Sequence, residues 1–289
     1  MDSKTKGAWL LAQSKSLDAI KGAGRLENIQ YAGRIGRLYN LLRRTESNSI
    51  ISASTVADIC RLNDIDKASR ENGLIRLKKD GRIDISTKGD VSVLGATTKA
   101  ILEATTTIFE EAAPSEEEQA VIHLSEKIST RPEERHIISE YISDKFKINS
   151  TRSSSLIDYC CETAILDQSK DRGKIILFNN NLFRSVDYAQ KAFYLINGLT
   201  ADEQSKLKEI QERLQKQSAL LDQEANNILG NDLYRRIIGV GLFDRLEVSN
   251  STEAVGYLTS PDAFQKYGRP FEDDPVDDAK ALLLSYKII

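Results

Sequence analysis

The stretch from Ser52 to Gly95 constrains the fold of this chain more than any other part of its sequence. Apolar residues recur there at helical spacing in two runs, which are Val56, Ile59 and Leu62, and then Ala68, Leu74, Ile75 and Leu77. This spacing predicts two short helices, each with one buried face. Ser54 or Thr55 is expected to cap the first helix and Asp66 the second, because these side chains accept hydrogen bonds from a first helical turn.

The end of the second helix is expected next, at a glycine, and two strands are expected after it. The sequence from Leu77 to Gly81 places a glycine where a helix commonly needs a left-handed backbone conformation to end. Ile83 and Ile85 alternate with polar residues, as do Val91 and Val93, and a polar turn separates the two pairs. This alternation predicts a two-stranded hairpin.

This order resembles the winged helix-turn-helix superfamily. The resemblance rests on the helix-turn-helix spacing, the L-x-x-D-G-x-I ending of the second helix and the hairpin that follows. It covers Ser52 to Gly95, and more when the periodic helix predicted from Leu26 to Arg44 and a short strand at Ser49 to Ile51 are counted. It implies that the third helix of the unit lies in the major groove of duplex DNA, while the hairpin, or wing, reaches a neighbouring groove or the phosphates. It identifies a fold more than a function.

Positive charge is concentrated around this unit, although the whole chain has a formal net charge of −3. Residues 21–100 contain fifteen Lys or Arg against nine Asp or Glu, whereas residues 101–200 and 201–289 each contain eleven against sixteen. A basic unit followed by an acidic remainder is typical of a nucleic-acid-binding head on an acidic body, and also of ordinary solvated surfaces.

Several polar residues of the first unit are candidates for contacts with DNA. They are Lys67, Ser69, Arg70, Asn72, Arg76, Lys78, Lys79, Arg82 and Lys88. Arg70 is expected to lie outward near the helix start, where it could grip guanine, and Asn72 could pair with adenine. The cations at the helix end and on the wing are expected to neutralise phosphates. The alternative is that these are solvated positions of a winged helix that binds protein.

A second, less clear copy of the same order is predicted after Pro114, where Ser115 and Glu118 form a capping box. Three helices and a hairpin are expected between Glu116 and Phe178. Its candidate DNA contacts are Thr151, Arg152 and Ser153 at the start of the presumed recognition helix, and Lys170, Arg172 and Lys174 on the hairpin. Acidic residues nearby would repel phosphate, so docking against the first unit or another subunit is the alternative.

A long helix is predicted from Thr200 to Ile228, with a capping box formed by Thr200 and Glu203 at its start and Gly230 after its end. Apolar residues recur in it every seven positions, at Leu207, Leu214, Leu221 and Ile228. Polar residues at two intermediate positions weaken the pattern of a coiled coil. The helix is therefore expected either to pack along its own chain or to pair with a second copy or a protein partner.

The predicted fold is mainly α with small β-hairpins, an α+β class. It comprises an N-terminal winged-helix domain at 1–113, a second winged-helix-like domain at 114–185, a long helical segment at 186–231 and a mixed C-terminal region at 232–289. The last residues, Ala279 to Ile289, are strongly apolar. Such a segment is expected of a buried terminus or of a chain cut inside a larger protein.

Most enzyme classes find little support in the sequence. The two histidines, His123 and His136, have no Cys or Asp at ligand spacing, the three cysteines form no paired motif and no GxxxxGK[ST] loop occurs. No metal or cofactor is therefore expected. Pro261-Asp262 followed by Asp278-Ala279-Lys280 has the residue order of metal-dependent nucleases, which remain a minor alternative. The absence of a long apolar run and of a signal peptide predicts a cytosolic protein without a membrane span, nucleoid-associated if it binds DNA.

The leading hypothesis from the sequence is a protein that binds double-stranded DNA, as a regulator or as the DNA-recognition subunit of a larger complex. Two alternatives from other classes stay open. One is an adaptor whose winged helices bind protein, and the other is an enzyme whose catalytic domain lies beyond residue 289.

Overall fold

A computed structural model describes residues 1–18, 24–45, 50–179, 183, 185–217, 219–249 and 254–260. Within these residues the chain is mainly helical with small antiparallel sheets, which confirms the predicted α+β class. It divides into two compact units, Met1–His123 and Leu124–Ile289. The helices are α1 Ser3–Asp18, α2 Glu27–Thr45, α3 Ala53–Leu62, α4 Lys67–Lys79, α5 Thr98–Glu111, α6 Glu116–Thr130, α7 Arg135–Phe146, α8 Ser150–Glu162, α9 Val186–Asn197, α10 Ala201–Gln217, α11 Asp222–Leu229 and α12 Asn231–Gly239. The strands are β1 Ile83–Ile85, β2 Val91–Val93, β3 Glu133–Glu134, β4 Asp167–Asp171, β5 Lys174–Phe178, β6 Ala219–Leu221, β7 Asp244–Ser249 and β8 Ala254–Thr259.

Helices α1, α2 and α5 pack against one another in the first unit. Glycines let these helices approach closely, because a Cβ atom at Gly7 would overlap the backbone of Leu102 in α5. A Cβ atom at Gly36 of α2 would likewise overlap the side chain of Thr105. Trp9 of α1 is 5% exposed, so the single tryptophan of the chain serves the core of this unit.

The first repeat consists of α2, Ile51, α3, α4, β1 and β2. Strands β1 and β2 are antiparallel, and Ile51 forms an antiparallel bridge with Val91, so β2 lies between Ile51 and β1. The chain order is thus a helix, a short strand, two helices and a hairpin whose last strand is central. Asp66 caps α4 as predicted, whereas Ser52 caps α3 in place of the two residues predicted for that role.

Three apolar residues that the helical spacing assigns to buried faces are exposed in the first repeat. Leu62 is 78% exposed at the end of α3, Ile75 is 67% exposed, and Ala68 is also exposed. The buried face of α4 is formed instead by Gly73, which approaches Leu38 of α2, and by Leu77. Because Gly73 and Leu77 form the buried face of α4, the helical period places Ala68 and Ile75 on the side that faces solvent.

The second repeat has the same order, with α6, β3, α7, α8, β4 and β5, and its sheet has the order β3-β5-β4. Ser115 and Glu118 form the predicted capping box at the start of α6. Arg172 and Gly173 connect the two hairpin strands with φ angles of 47° and 80°. Positive φ at both residues is the geometry of a type I′ turn, which matches the twist of the strands.

A third repeat, which the sequence analysis missed, has the same order again. It consists of α10, β6, α11, α12, β7 and β8, with sheet order β6-β8-β7. The predicted continuous helix from Thr200 to Ile228 is therefore wrong, because strand β6 interrupts it and pairs with β8. Leu207 and Leu214 are each 5% exposed, so these leucines are buried in their own chain and form no free coiled-coil seam.

Asp222, at the start of α11, holds the elements of the third repeat together. Its carboxylate accepts hydrogen bonds from the Tyr234 hydroxyl of α12 and, at 2.7 Å, from Arg245 Nε of β7. Burial and this hydrogen bond raise the pKa of Tyr234 to about 12. The capping box of Thr200 and Glu203 forms as predicted at the start of α10.

Candidate nucleic-acid interface

The exposed face of α4 is the most basic helix surface of the first repeat. Its exposed residues recur at helical spacing and are Lys67, Ala68, Glu71, Asn72, Ile75, Lys78 and Lys79. The Asp66 cap fixes the helix start, and the buried Leu77 fixes its rotation. The structure therefore brings four of the predicted DNA contacts, Lys67, Asn72, Lys78 and Lys79, onto one solvent-facing stripe.

The hairpin of the first repeat lies against the end of this stripe. Lys78 Nζ donates a hydrogen bond to the carbonyl oxygen of Ile85 at 3.0 Å and lies 3.6 Å from an Asp84 carboxylate oxygen. Lys88 is exposed in the turn between β1 and β2. Gly89 in that turn has a φ of 85°, a conformation that favours glycine. The Lys78 contact thus joins the helix end to the hairpin that carries Lys88.

Arg70, the predicted base-reading residue, is less accessible than the sequence indicated. Its side chain is 22% exposed, and it lies 3.9 Å from the Glu71 carboxylate. It lines an open cleft of about 620 Å³ at the corner between α3 and α4, together with Asp58, Arg61 and Asp64. A contact from Arg70 to a base would require its guanidinium to leave this cleft.

Two other residues of the first repeat that were predicted to contact DNA are partly buried in the protein. Arg76 is 17% exposed and pairs with Asp80 at 2.8 Å and with Glu111 of α5. These carboxylates, Asp80 first, raise the pKa of Arg76. Arg82 is half-buried, with its Nε atom out of contact with solvent. The prediction that Arg76 neutralises phosphate is therefore corrected, because its guanidinium is paired with two carboxylates of its own unit, whereas the role of Arg82 stays a prediction.

A network centred on Asp18 of α1 supports the start of α4, and the sequence analysis did not find it. Asp18 accepts hydrogen bonds from Gln30 and Arg34 at 2.7 Å and pairs with Arg37. Arg34 in turn lies 3.4 Å from the Ser69 hydroxyl and 3.8 Å from Asp66. Ser69, a predicted DNA contact, is therefore committed to hydrogen bonds within the protein, including one to Asp66.

The Asp66 cap makes the stability of the first unit depend on pH. Hydrogen bonds from the Ser69 hydroxyl and amide lower the pKa of Asp66. A lowered pKa in the folded state means that this stabilisation is complete above the ordinary aspartate pKa near 4 and is lost as the pH falls through the folded value. We expect Asp66→Ala to reduce the free energy of unfolding by about 1 kcal/mol at neutral pH and by much less near pH 2.

Urea denaturation at the two pH values measures this difference. Asp66→Asn is the matched control, because asparagine keeps a capping oxygen and cannot titrate. A deficit of Asp66→Ala that is the same at both pH values would contradict the expected role of the charged carboxylate.

The residues of the second repeat that were predicted to contact DNA include one that is fully buried. Ser153 is fully buried, and its hydroxyl lies 2.7 Å from Ser139 Oγ and 3.1 Å from Ser143 Oγ. It joins α8 to α7, so its prediction as a DNA contact is wrong. A serine near a helix start is ambiguous in sequence, because a hydroxyl can serve a helix contact as well as a phosphate.

The basic residues of the second hairpin contact the rest of their own unit. Lys174 donates to Glu134 Oε2 at 2.7 Å, and Arg172 stacks over the ring of Tyr194 at 4.6 Å. Thr151, Arg152 and Lys170 are exposed. Three of the six predicted residues are thus exposed to solvent, two of them at the start of α8 and Lys170 on β4.

Helix α12 and the β7–β8 hairpin of the third repeat present few accessible cations. In α12, Arg235 is exposed, whereas Arg236 pairs with Glu203 at 2.9 Å. On its hairpin, Arg245 pairs with Asp222 at 2.7 Å. The basic stripe on α4 therefore has no counterpart of similar charge on α12.

The described residues include no group of three or more His, Cys, Asp or Glu that could hold a metal ion. Among the same residues, none of the helices combines the length and apolar composition that crossing a membrane requires. The nuclease-like residues Asp262, Asp278 and Lys280 lie outside the described part of the chain. The sequence matches neither a protein-family model nor a curated protein.

Proposed function

We propose that this chain binds double-stranded DNA through its first repeat, with α4 as recognition helix and the β1–β2 hairpin as wing. The observation that carries the proposal is the solvent-facing stripe of Lys67, Asn72, Lys78 and Lys79 on a helix joined to the wing by Lys78. Cations at these positions suit phosphate oxygens, and the Asn72 amide suits the edge of adenine.

The proposal includes the winged-helix identity of the repeats. A helix, a short strand, two helices and a hairpin, with the first strand paired to the last, is the order that the superfamily resemblance implies for each unit. The same order three times in one chain supports a tandem array. In such an array the basic first repeat binds DNA, as part of a regulator or of the DNA-recognition subunit of a complex.

Ile75 supports a base-facing role for the stripe. It is a large apolar side chain that is 67% exposed between Asn72 and the two terminal lysines of α4. In a helix that lies in the major groove, an apolar side chain contacts the methyl group of thymine. The exposure of Ile75, which costs hydrophobic stabilisation in the free protein, is then offset in the complex.

The salt dependence of binding tests the proposal. We expect the full chain to bind fluorescent duplex DNA with an affinity that falls about 100-fold between about 50 and 200 mM salt, because about four lysines would neutralise phosphates. Fluorescence anisotropy measures both affinities. Absence of binding at the lower salt concentration, or binding insensitive to salt, would sink the proposal.

A second candidate function is protein binding by the second repeat. It is favoured because two cations of that repeat pair within their own unit, Lys174 with Glu134 and Arg135 with Asp158, each at 2.7 Å. Co-purification of a stoichiometric protein by the full chain, together with no affinity for DNA, would select this adaptor function over the first.

A further inference from the structure

Helix α4 approaches α2 most closely at Gly73, near the middle of the helix. A Cβ atom built at Gly73 would come within 2.8 Å of Leu38 Cδ2 of α2. The buried Leu77 fixes the rotation of α4 about its own axis, but it lies only about one helical turn from Gly73. The tilt of α4 about this close contact therefore depends on what holds its two ends.

The start of α4 is held by α1, a helix outside the order that the three repeats share. Asp18 of α1 accepts a hydrogen bond from Arg34 Nε at 2.7 Å. The same guanidinium lies 3.4 Å from the Ser69 hydroxyl and 3.8 Å from Asp66, the cap of α4. The Asp18 side chain is 13% exposed, so water and salt screen this ion pair less than they screen surface pairs.

The other end of α4 is held by α5, which also lies outside the shared order. Arg76 donates a hydrogen bond to Asp80 at 2.8 Å and a second one to Glu111 of α5. Asp66 and Arg76 are ten positions apart, which is about 15 Å along a helix axis. Ties on both sides of Gly73 fix the tilt of α4 as a single contact could not.

Helices α1 and α5 are also joined to each other, beyond the close approach at Gly7. The Thr106 hydroxyl of α5 donates a hydrogen bond to the Ser3 carbonyl oxygen of α1 at 2.7 Å. Lys6 of α1 pairs with Glu110 of α5, the residue next to Glu111, at 2.5 Å. The two ends of α4 are thus tied to one packed pair of helices.

The equivalent helices of the other two repeats are tied within their own repeats. Asp158 of α8 pairs with Arg135 of α7 at 2.7 Å. Arg236 of α12 pairs with Glu203 of α10 at 2.9 Å. Helix α4 differs because the carboxylates of α1 and α5 come from helices added to its repeat, and α4 is also the helix with the basic stripe.

We propose that Asp18 and Glu111 are positioning residues for the binding of DNA, and that α1 and α5 form a brace that sets the tilt of α4. The inference rests on the proposed function, because it names what holds the recognition helix in place. Neither carboxylate contacts the duplex. Each acts through an arginine, Arg34 at the start of α4 and Arg76 near its end.

A small tilt is enough to separate the stripe from its target. Lys67 and Lys79 each lie six positions from Gly73, about 9 Å along the helix. A tilt of about 10° about Gly73 would move them in opposite directions by about 1.5 Å. Hydrogen bonds tolerate a spread of only about 0.5 Å in donor–acceptor distance. Loss of the brace should therefore weaken binding even though every residue of the stripe is still present.

Removal of either carboxylate tests the brace, because charge and positioning predict opposite changes. Glu111→Ala and Asp18→Ala each remove one negative charge, which by itself favours binding to phosphates. Loss of the brace should instead lower the affinity for duplex DNA about fivefold in each variant at about 100 mM salt. The slope of log affinity against log salt should stay at the wild-type value, because the lysines of the stripe remain. Anisotropy titrations measure both quantities.

Glu103→Ala is the matched control. Glu103 also lies on α5 but pairs with Lys99 of the same helix at 3.8 Å, so its loss removes the same charge without releasing α4. Its affinity for DNA should equal or slightly exceed that of the wild type. If the wild-type chain binds DNA with the expected salt dependence, undiminished affinity of Glu111→Ala or Asp18→Ala would overturn the positioning role of that residue alone. Absence of salt-dependent binding by the wild-type chain would overturn the proposed function itself.

Residual dipolar couplings of backbone amides measure the tilt without DNA. The orientation of α4 relative to α2 should change by about 10° or more in Glu111→Ala and in Asp18→Ala, and should stay at the wild-type value in Glu103→Ala. The Glu111 side chain is 56% exposed, so its removal should leave the fold intact, as circular dichroism would show. An unchanged orientation of α4 in both variants would overturn the brace, whatever the affinities.

Discussion

Lys78→Glu combined with Lys79→Glu is expected to lower the affinity of the full chain for duplex DNA by about 10- to 100-fold at about 100 mM salt. Both lysines are exposed at the end of α4, next to the β1–β2 hairpin. Reversing their charges removes two phosphate contacts and adds repulsion, so the slope of log affinity against log salt should fall in magnitude by about two. Anisotropy titrations over a range of salt concentrations measure both effects.

The control for this pair is Lys206→Glu with Lys208→Glu, which changes the net charge equally on α10. These lysines pair with Asp202 and Glu212 on the exposed surface of that helix, so the exchange should cost little stability. If the control reduced the affinity and the salt slope as much as the α4 pair, total charge rather than the α4 stripe would explain binding. Circular dichroism spectra should match the wild type for both variants.

Gly7→Ala is expected to have the largest effect on stability, a loss of about 3 kcal/mol in the free energy of unfolding of the first unit. A Cβ atom at this position would overlap the backbone of Leu102, and backbone atoms cannot move aside as a flexible side chain can. Helices α1 and α5 would have to separate, which would loosen the packing around Trp9. Denaturant titration followed by Trp9 fluorescence measures the loss, since this is the only tryptophan in the chain.

Gly239→Ala, in the last turn of α12, is the matched control. Nothing lies within 4 Å of a Cβ atom built at Gly239. Alanine has the higher helix propensity, so this variant should be as stable as the wild type or more stable by up to about 1 kcal/mol when followed by circular dichroism. Wild-type stability of Gly7→Ala would contradict the close approach of α1 and α5.

Features that depend on a single turn of chain were predictable from the sequence. The Asp66 cap and the capping boxes at Ser115 and Thr200 each use a side chain and an amide three residues apart, so local spacing suffices to identify them. The hairpin β1–β2 was equally legible, because its alternating residues and polar turn are short-range patterns. A hairpin was also expected where β4 and β5 lie, but the wholly polar sequence of β4, Asp167–Asp171, does not have the alternation of a strand.

The candidate interface was predicted in outline and corrected in detail. The solvent exposure of Lys67, Lys78 and Lys79 could be predicted, because a charged side chain is seldom fully buried. Arg76 and Ser153 could not be distinguished from them. One of the two carboxylate partners of Arg76 is Glu111, 35 positions away, and a hydrogen-bond partner of Ser153 is Ser139 on a neighbouring helix.

The sequence by itself determined where α4, α6 and α10 begin and that the β1–β2 hairpin forms, because caps, turns and periodicity act between residues a few positions apart. Tertiary structure decided what those elements contact. Leucines every seven residues fit a continuous helix from Thr200 to Ile228, yet the chain leaves the helix because Leu220 gains a partner in Leu258, 38 positions later, within a buried sheet. The stability that this pairing adds depends on the packing of α11 against β8, and no local sequence pattern contains it. The third repeat could therefore be identified only from the pairing of the distant strands β6 and β8.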